Sequence, residues 1–304
     1  MRPRLSVIVP TRDRADMLER CLASIRGAVG DDDEIVVVDS ASRDAPRVAA
    51  IATERGARLV RCDQPGVNRA RNAGWRAAYN QLLAYVDDDV VVDETWADAL
   101  ATTAAANPAA AFITGRVAPL APTAHGNVAI KDGAVAQTLD RDTTGDLGHG
   151  ANVLVRASAL AVVGGWDEAM GVGARFKSAP ETDLYDRLFA AGFSGRYEPS
   201  AVGYHDQHRN QRELIRLDWR YGYGNGARIA KLVRTDRRRA RRVAGEAAWG
   251  WGLRRLVDAA RYRNKTDAAR VSARLAGTLA GFVRGAASRV NEGHYDDGRS
   301  NTSS

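Results

Sequence analysis

Short apolar, β-branched runs alternate with longer stretches of helical periodicity over the first part of the chain. Residues 5–9 read as a strand, residues 15–28 as a helix with Leu18, Leu22 and Ile25 on one face, and "EIVVVD" as a buried strand. A helix near 48–55, a strand at "ARLVR", a helix from about Asn68 and the strand "LLAYV" follow. This β-α-β-α-β-α-β order predicts a mostly parallel sheet with helices on both faces. In such sheets ligands bind beyond the carboxyl ends of the strands.

Further on, the pattern predicts a helix over 94–106, a strand at "AAFITGRV", an irregular segment over 119–148, a strand "ANVLVR" and a short helix over 157–163. The turn "GGWDEAMGVGARF" leads to the helix "ETDLYDRLFAAG", with Gly192 placed as its C-cap, and a strand around "GRYEPSAVGYH". The remainder reads as basic helices, and the tail from Asn291 as disordered. We therefore expect a catalytic domain over 1–209 (halves 1–117 and 118–209), a basic helical extension over 210–290, and a tail over 291–304.

Charge sharpens this division. Residues 205–304 carry 22 Lys and Arg against 10 Asp and Glu, while the whole chain has a net charge of +7. Two cysteines in 304 residues make neither a disulfide framework nor a zinc set, which points to a reducing compartment, the cytoplasm. The apolar run at the start is too short for a signal peptide, and no stretch is long enough to span a membrane. Two apolar stripes in the basic part, Trp249, Leu253, Leu256 and Val257, and Val271, Leu275, Leu279 and Phe282, have two readings: packing on the catalytic domain, or peripheral contact with the inner face of a membrane.

The chain spells three aspartates in a row twice, and position separates the two triplets. Asp31, Asp32 and Asp33 precede a strand and read as a solvated turn. Asp87, Asp88 and Asp89 follow "LLAYV" at the carboxyl edge, as Asp39 and "VPTRDR" follow their own strands. Asp87 and Asp89 offer hard oxygen ligands for Mg²⁺ or Mn²⁺, ions usually held by one or two carboxylates and completed by phosphate oxygens. "GVNRARNAG", with Arg69 and Arg71, opens a helix where an anionic group could sit. Glu181 and Asp183 are candidate general bases, and His205 stands in a loop with His208 and Arg209. Neither a Walker pattern nor a G-x-G-x-x-G after the first strand is present.

Taken in order, "LSVIVPTRDR", "IVVVDSASRD", "GVNRARNAG", "YVDDDV", "GANVLVRASAL", "GGWDEAM", "ETDLYDRLFAAG" and "YEPSAVGYH" resemble family 2 glycosyltransferases of the GT-A fold, over residues 4 to 209. The resemblance implies an α/β protein with a mixed, mostly parallel nucleotide-binding sheet flanked by helices, followed by a C-terminal helical extension. It implies Pro10, Thr11 and Arg12 as a nucleotide-contacting loop, Asp39 at the base, and Arg71 beside the nucleotide. Asp87, Asp89 and His205 fall on the metal positions, with Asp88, Asn152 and Arg209 near the donor. Glu181 falls on the base position of inverting members, with Asp183 as its rival. The implied reaction moves a single sugar from a UDP-, dTDP- or GDP-linked donor, with Mn²⁺ or Mg²⁺, to an acceptor that is lipid-linked or a glycan.

Departures are visible: Ser40 and Ala41 replace the usual residues after Asp39, and Pro180-Glu181 replaces the usual acidic pair. Two other classes compete. A sugar-1-phosphate nucleotidyltransferase would show a glycine-rich loop after the first strand, and "VPTRDR" has no glycine. A nucleic-acid binder would rest on "RTDRRRARR", which lacks interleaved aromatics, so no nucleic-acid partner is expected.

Overall fold

A computed structural model describes residues 2–121, 129–206 and 209–296. The chain divides into two compact units, residues 1–166 with 191–208, and residues 167–190 with 209–304.

The first unit opens with β1 (Leu5–Thr11), α1 (Ala15–Ala28), β2 (Glu34–Ser40), α2 (Ala45–Glu54), β3 (Arg58–Cys62), α3 (Val67–Ala77) and β4 (Leu82–Val86). It continues with β5 (Val90–Val92), α4 (Trp96–Ala106), β6 (Ala110–Pro119), β7 (Gln137–Leu139), β8 (Asn152–Arg156) and α5 (Ala157–Val162). After α6 (Pro180–Ala190), which belongs to the second unit, β9 (Ser194–His205) completes the sheet. Among the described residues the strands lie in the order β3, β2, β1, β4, β8, β6, β9, β5, with β7 also on β9. The pairs β3–β2, β2–β1 and β1–β4 are parallel, and β8 is antiparallel to β4.

Strands buried on both faces need apolar side chains throughout, which is why β1 and β4 are wholly buried. Leu18, Leu22 and Ile25 of α1 close over Val7, Val9, Ile35 and Val37, as the helical spacing predicts. The chain runs outward through β1, β2 and β3, then returns to the other side of β1 as β4. That reversal creates a crevice between the carboxyl ends of β1 and β4.

In the second unit α7 (Gln211–Thr235), α8 (Arg237–Ala248), a π-helical turn (Trp249–Leu253), α9 (Arg254–Arg261) and α10 (Lys265–Ala286) follow α6. Helices α7 and α10 run parallel at very close approach. Glycines allow it: a Cβ on Gly281 would strike the backbone of Tyr223, and one on Gly226 the backbone of Thr278. Helix α6 is anchored by buried ion pairs. Arg228 and Arg239 both reach Asp186 at 2.5 Å, and Lys231 Nζ lies 2.6 Å from Asp183.

Three expectations change here. Residues 167–190 join the C-terminal helices rather than the sheet unit, because α6 carries the acids that neutralise α7 and α8. Asp33 is not solvated: its carboxylate accepts from Arg2 and from the Leu5 and Gly30 amides, while Asp31 and Asp32 are exposed. The start of the tail is ordered as β10 (Val290–Asn291) and β11 (His294–Tyr295), because Tyr295 is buried against Phe176 and its hydroxyl donates to Ala227 O at 2.6 Å. Residues 297–304 lie outside the described residues.

Candidate donor and metal site

A side-chain hydrogen bond ties the carboxyl ends of β1 and β4 together where the strand order reverses. Thr11, the last residue of β1, donates through Oγ1 to Asp88 at 2.8 Å. Asp88 is buried, and burial pushes its carboxyl up to about 7 against the opposing pull of Arg14. Arg14 Nη1 donates to Asp88 at 3.0 Å and to Asp89 at 2.9 Å, so one guanidinium holds two members of the triplet. The expectation for this loop named Arg12; that side chain is exposed and lies 3.8 Å from Asp13. Arg14, two residues on and just ahead of α1, is the residue that reaches the acids.

Asp89 is carried to His205 by the sheet. Val90 pairs with His205 in the antiparallel β5–β9 ladder, and the Asp206 amide donates to Asp89 O at 2.9 Å. The Asp89 carboxylate consequently stands 3.5 Å from His205 Nε2. Asp87 turns the other way and accepts from Arg71 Nη2 at 2.9 Å. The three residues expected to share a metal thus do not converge: among the described residues no group of three or more His, Cys, Asp or Glu is arranged to hold an ion. The Asp89–His205 pair still fits the mode in which one or two protein ligands are completed by phosphate oxygens.

Arg71 is buried, stacks over the Trp166 ring at 4.6 Å and donates to Gly150 O at 3.1 Å. Its role in the fold is to position Asp87 and the 150–152 turn, not to present a free cation. Asn152, expected near the donor, is spent in the core. Its amide group donates to Arg116 O and Ala201 O, each at 2.9 Å, and its oxygen accepts from Trp96 Nε1 at 2.8 Å. Pro10 is likewise buried within β1, paired with Val38.

Asp39, at the end of β2, is buried and accepts from the Ser42 amide at 2.9 Å and from Arg61. Ser40 accepts from the Gly66 amide at 3.1 Å, fixing the start of α3. Ala41 holds φ at +58°, a left-handed conformation that glycine or asparagine would adopt more cheaply. A cleft of about 540 Å³ opens at this edge, lined among others by Asp13, Arg14, Ser42 and Arg43.

The two base candidates differ sharply. Asp183 is buried; burial would raise its pKa, but Lys231 and Arg187 outweigh that and hold it below the usual carboxylate range. Glu181, two residues earlier and about 200° round α6, is partly exposed. It shares its surroundings with Tyr221 and Arg209: burial pushes the Tyr221 hydroxyl up to about 12, Arg209 opposing and Glu181 adding to the effect. His208 lies outside the described residues. Sequence reasoning missed Arg14 and Arg61; both sit within three residues of a strand's carboxyl end, the one signal that could have found them.

A profile described as Glycosyl transferase family 2 matches residues 6–163. The pre-mycofactocin glycosyltransferase of Mycobacterium tuberculosis is 28% identical over 267 residues, covering 82% of this chain and 52% of that protein. The chain thus spans about half the length of that relative. Among solved structures, the mannosyltransferase PcManGT from Pyrobaculum calidifontis, in complex with GDP-Man and Mn²⁺, aligns with a TM-score of 0.62 at 19% identity, covering 94% of this chain and 87% of that one. TarS 1-349 of S. aureus in complex with UDP-GlcNAc aligns with a TM-score of 0.53 at 13% identity, covering 72% and 66%.

Proposed function

The chain belongs to glycosyl transferase family 2 and has the GT-A fold, and from that premise we propose that it moves a single sugar from a nucleotide-diphosphate donor to an acceptor hydroxyl, with inversion at the anomeric carbon. The observation that carries this reading is the meeting of Asp89 and His205 at the carboxyl edge of the crevice where the strand order reverses. Asp39, buried at the same edge, is suited to accept an N–H from the base, with Arg61 beside it as a donor. Thr11 holds Asp88, and Arg14 holds both Asp88 and Asp89, so the Asp89 carboxylate is oriented at that edge.

Asp89 and His205 would hold a divalent cation, Mn²⁺ or Mg²⁺, which supplies charge neutralisation for the departing diphosphate. The Mn²⁺ in the P. calidifontis complex supports a divalent cation, and the GDP and UDP sugars of the two solved complexes support a GDP- or UDP-linked donor here. Glu181 takes the acceptor's proton. A hydroxyl is a poor nucleophile until deprotonated, and of the two candidates only Glu181 has a carboxylate not locked between buried cations. Arg209 and Tyr221 share its surroundings and would orient the acceptor, lipid-linked or a glycan.

The test is a panel of nucleotide sugars with Mn²⁺ or Mg²⁺, scored by release of free nucleoside diphosphate. Metal-dependent release from one donor class is expected. Release of pyrophosphate from a nucleoside triphosphate and a sugar phosphate would favour a nucleotidyltransferase instead.

A further inference from the structure

The basic part of the second unit has a face with no counterpart in the transfer reaction. The apolar stripe on α10 is itself divided, with Leu279 and Phe282 68% and 36% exposed. Val271 of α10 is buried, and Leu275 packs against Gly252 on the inner side of the π-helical turn. Trp249, Leu253 and Val257 instead stand 65%, 53% and 57% exposed. They recur every fourth residue along the turn and α9, so they form one row on one side. Of α9's own side chains, Ala259 alone is buried.

The surroundings of that row are cationic. Residues 237–263 contain nine Arg against Glu246 and Asp258. One of the nine, Arg239, is buried with Asp186, while Arg237, Arg238, Arg241, Arg254, Arg261 and Arg263 are exposed. On α9, Arg254 and Arg261 lie about 100° and 80° round the helix from Leu253, along one flank of the row. An exposed apolar row flanked by arginines is the composition of a helix that lies in a lipid interface, apolar side inward and guanidinium groups at the headgroups. Among the described residues no helix is long and apolar enough to cross a membrane.

We propose that the π-helical turn and α9 form a docking face for an anionic lipid bilayer, on which Trp249, Leu253 and Val257 insert and Arg241, Arg254 and Arg261 pair with lipid phosphates. Charge complementarity selects the anionic surface. The apolar row selects lipid over nucleic acid, because a phosphate backbone offers Leu253 and Val257 nothing to bury against. This docking is independent of the sugar transferred.

The experiment is co-sedimentation of the full chain with vesicles of phosphatidylcholine containing about one third phosphatidylglycerol, and with pure phosphatidylcholine, at about 0.15 M salt. The wild-type chain should pellet with the anionic vesicles and stay in solution with the neutral ones. The triple variant Trp249→Ser, Leu253→Ser, Val257→Ser should bind at least about tenfold more weakly. Arg241→Gln, Arg254→Gln, Arg261→Gln should weaken binding by about a hundredfold. Both variants change exposed side chains, so both should keep the wild-type melting temperature. Failure of the wild-type chain to pellet would overturn the proposal. So would wild-type binding by the serine variant, or retention by single-stranded RNA at the same salt in the absence of vesicle binding.

Discussion

Replacing Asp183 by Asn separates a structural acid from a reacting one. The side chain is 2% exposed, and its oxygens lie 2.6 Å from Lys231 Nζ and 3.0 Å from Arg187 Nε. Asn keeps the shape and removes the charge, leaving two buried cations short of a partner. Breaking a buried pair costs about 3–5 kcal/mol; because Lys231 keeps Asp167, the lower end, about 3 kcal/mol, applies. For a protein of this size that corresponds to a fall in Tm of roughly 6–12 °C. The sign with pH follows from the lowered pKa. Asp183 contributes stability that is present above its unfolded value near 4 and is lost as pH falls through the still lower folded value. The gap in Tm between wild type and variant should therefore be full at neutral pH and close below about pH 4. Calorimetry gives the Tm, and nucleoside diphosphate release well below the variant's Tm gives turnover, which should stay within about threefold of wild type if Asp183 only holds α6. A variant with wild-type Tm and abolished turnover would refute this reasoning and pass the role of base to Asp183.

Glu181→Gln should lower turnover by about 10² to 10⁴-fold, the usual contribution of a general base, while leaving metal-dependent nucleotide binding intact; stopped assays with saturating donor measure it. Asp39→Ala should raise the donor KM at least about tenfold, from a lost buried contact of about 1–3 kcal/mol, and an unchanged KM would move the base elsewhere. Gly281→Leu should lower Tm by several degrees because the added side chain meets the Tyr223 backbone, whereas Gly245→Ala, with open space around it, should raise stability by up to about 1 kcal/mol in the same melting experiment.

The first unit was legible because buried parallel strands must be apolar throughout: "LSVIV", "EIVVV" and "LLAYV" announce themselves, and the bounds of α1 follow from Leu18, Leu22 and Ile25. The position of the second aspartate triplet followed from the same reading. What could not be read depends on pairing distant in sequence. Strand β5 is three residues long and follows the triplet directly, so "DDDVVVD" shows no period; yet its ladder with β9 is what sets Asp89 beside His205. The fate of Asn152, held by Trp96, Arg116 and Ala201, needed the same long-range contacts. So did the membership of α6 in the second unit, which rests on the partners of Asp186 and Asp183 in α7 and α8.

Calorimetric titration of nucleoside diphosphate into the full chain, with Mn²⁺ and with excess chelator, tests the central claim most directly. Mn²⁺ should tighten binding of the cognate nucleotide at least about tenfold, and Asp89→Ala should erase that gain while leaving the weaker, metal-free binding in place. Equal affinity with and without Mn²⁺, or an Asp89→Ala chain that keeps the full gain, would contradict a donor site built on Asp89 and His205.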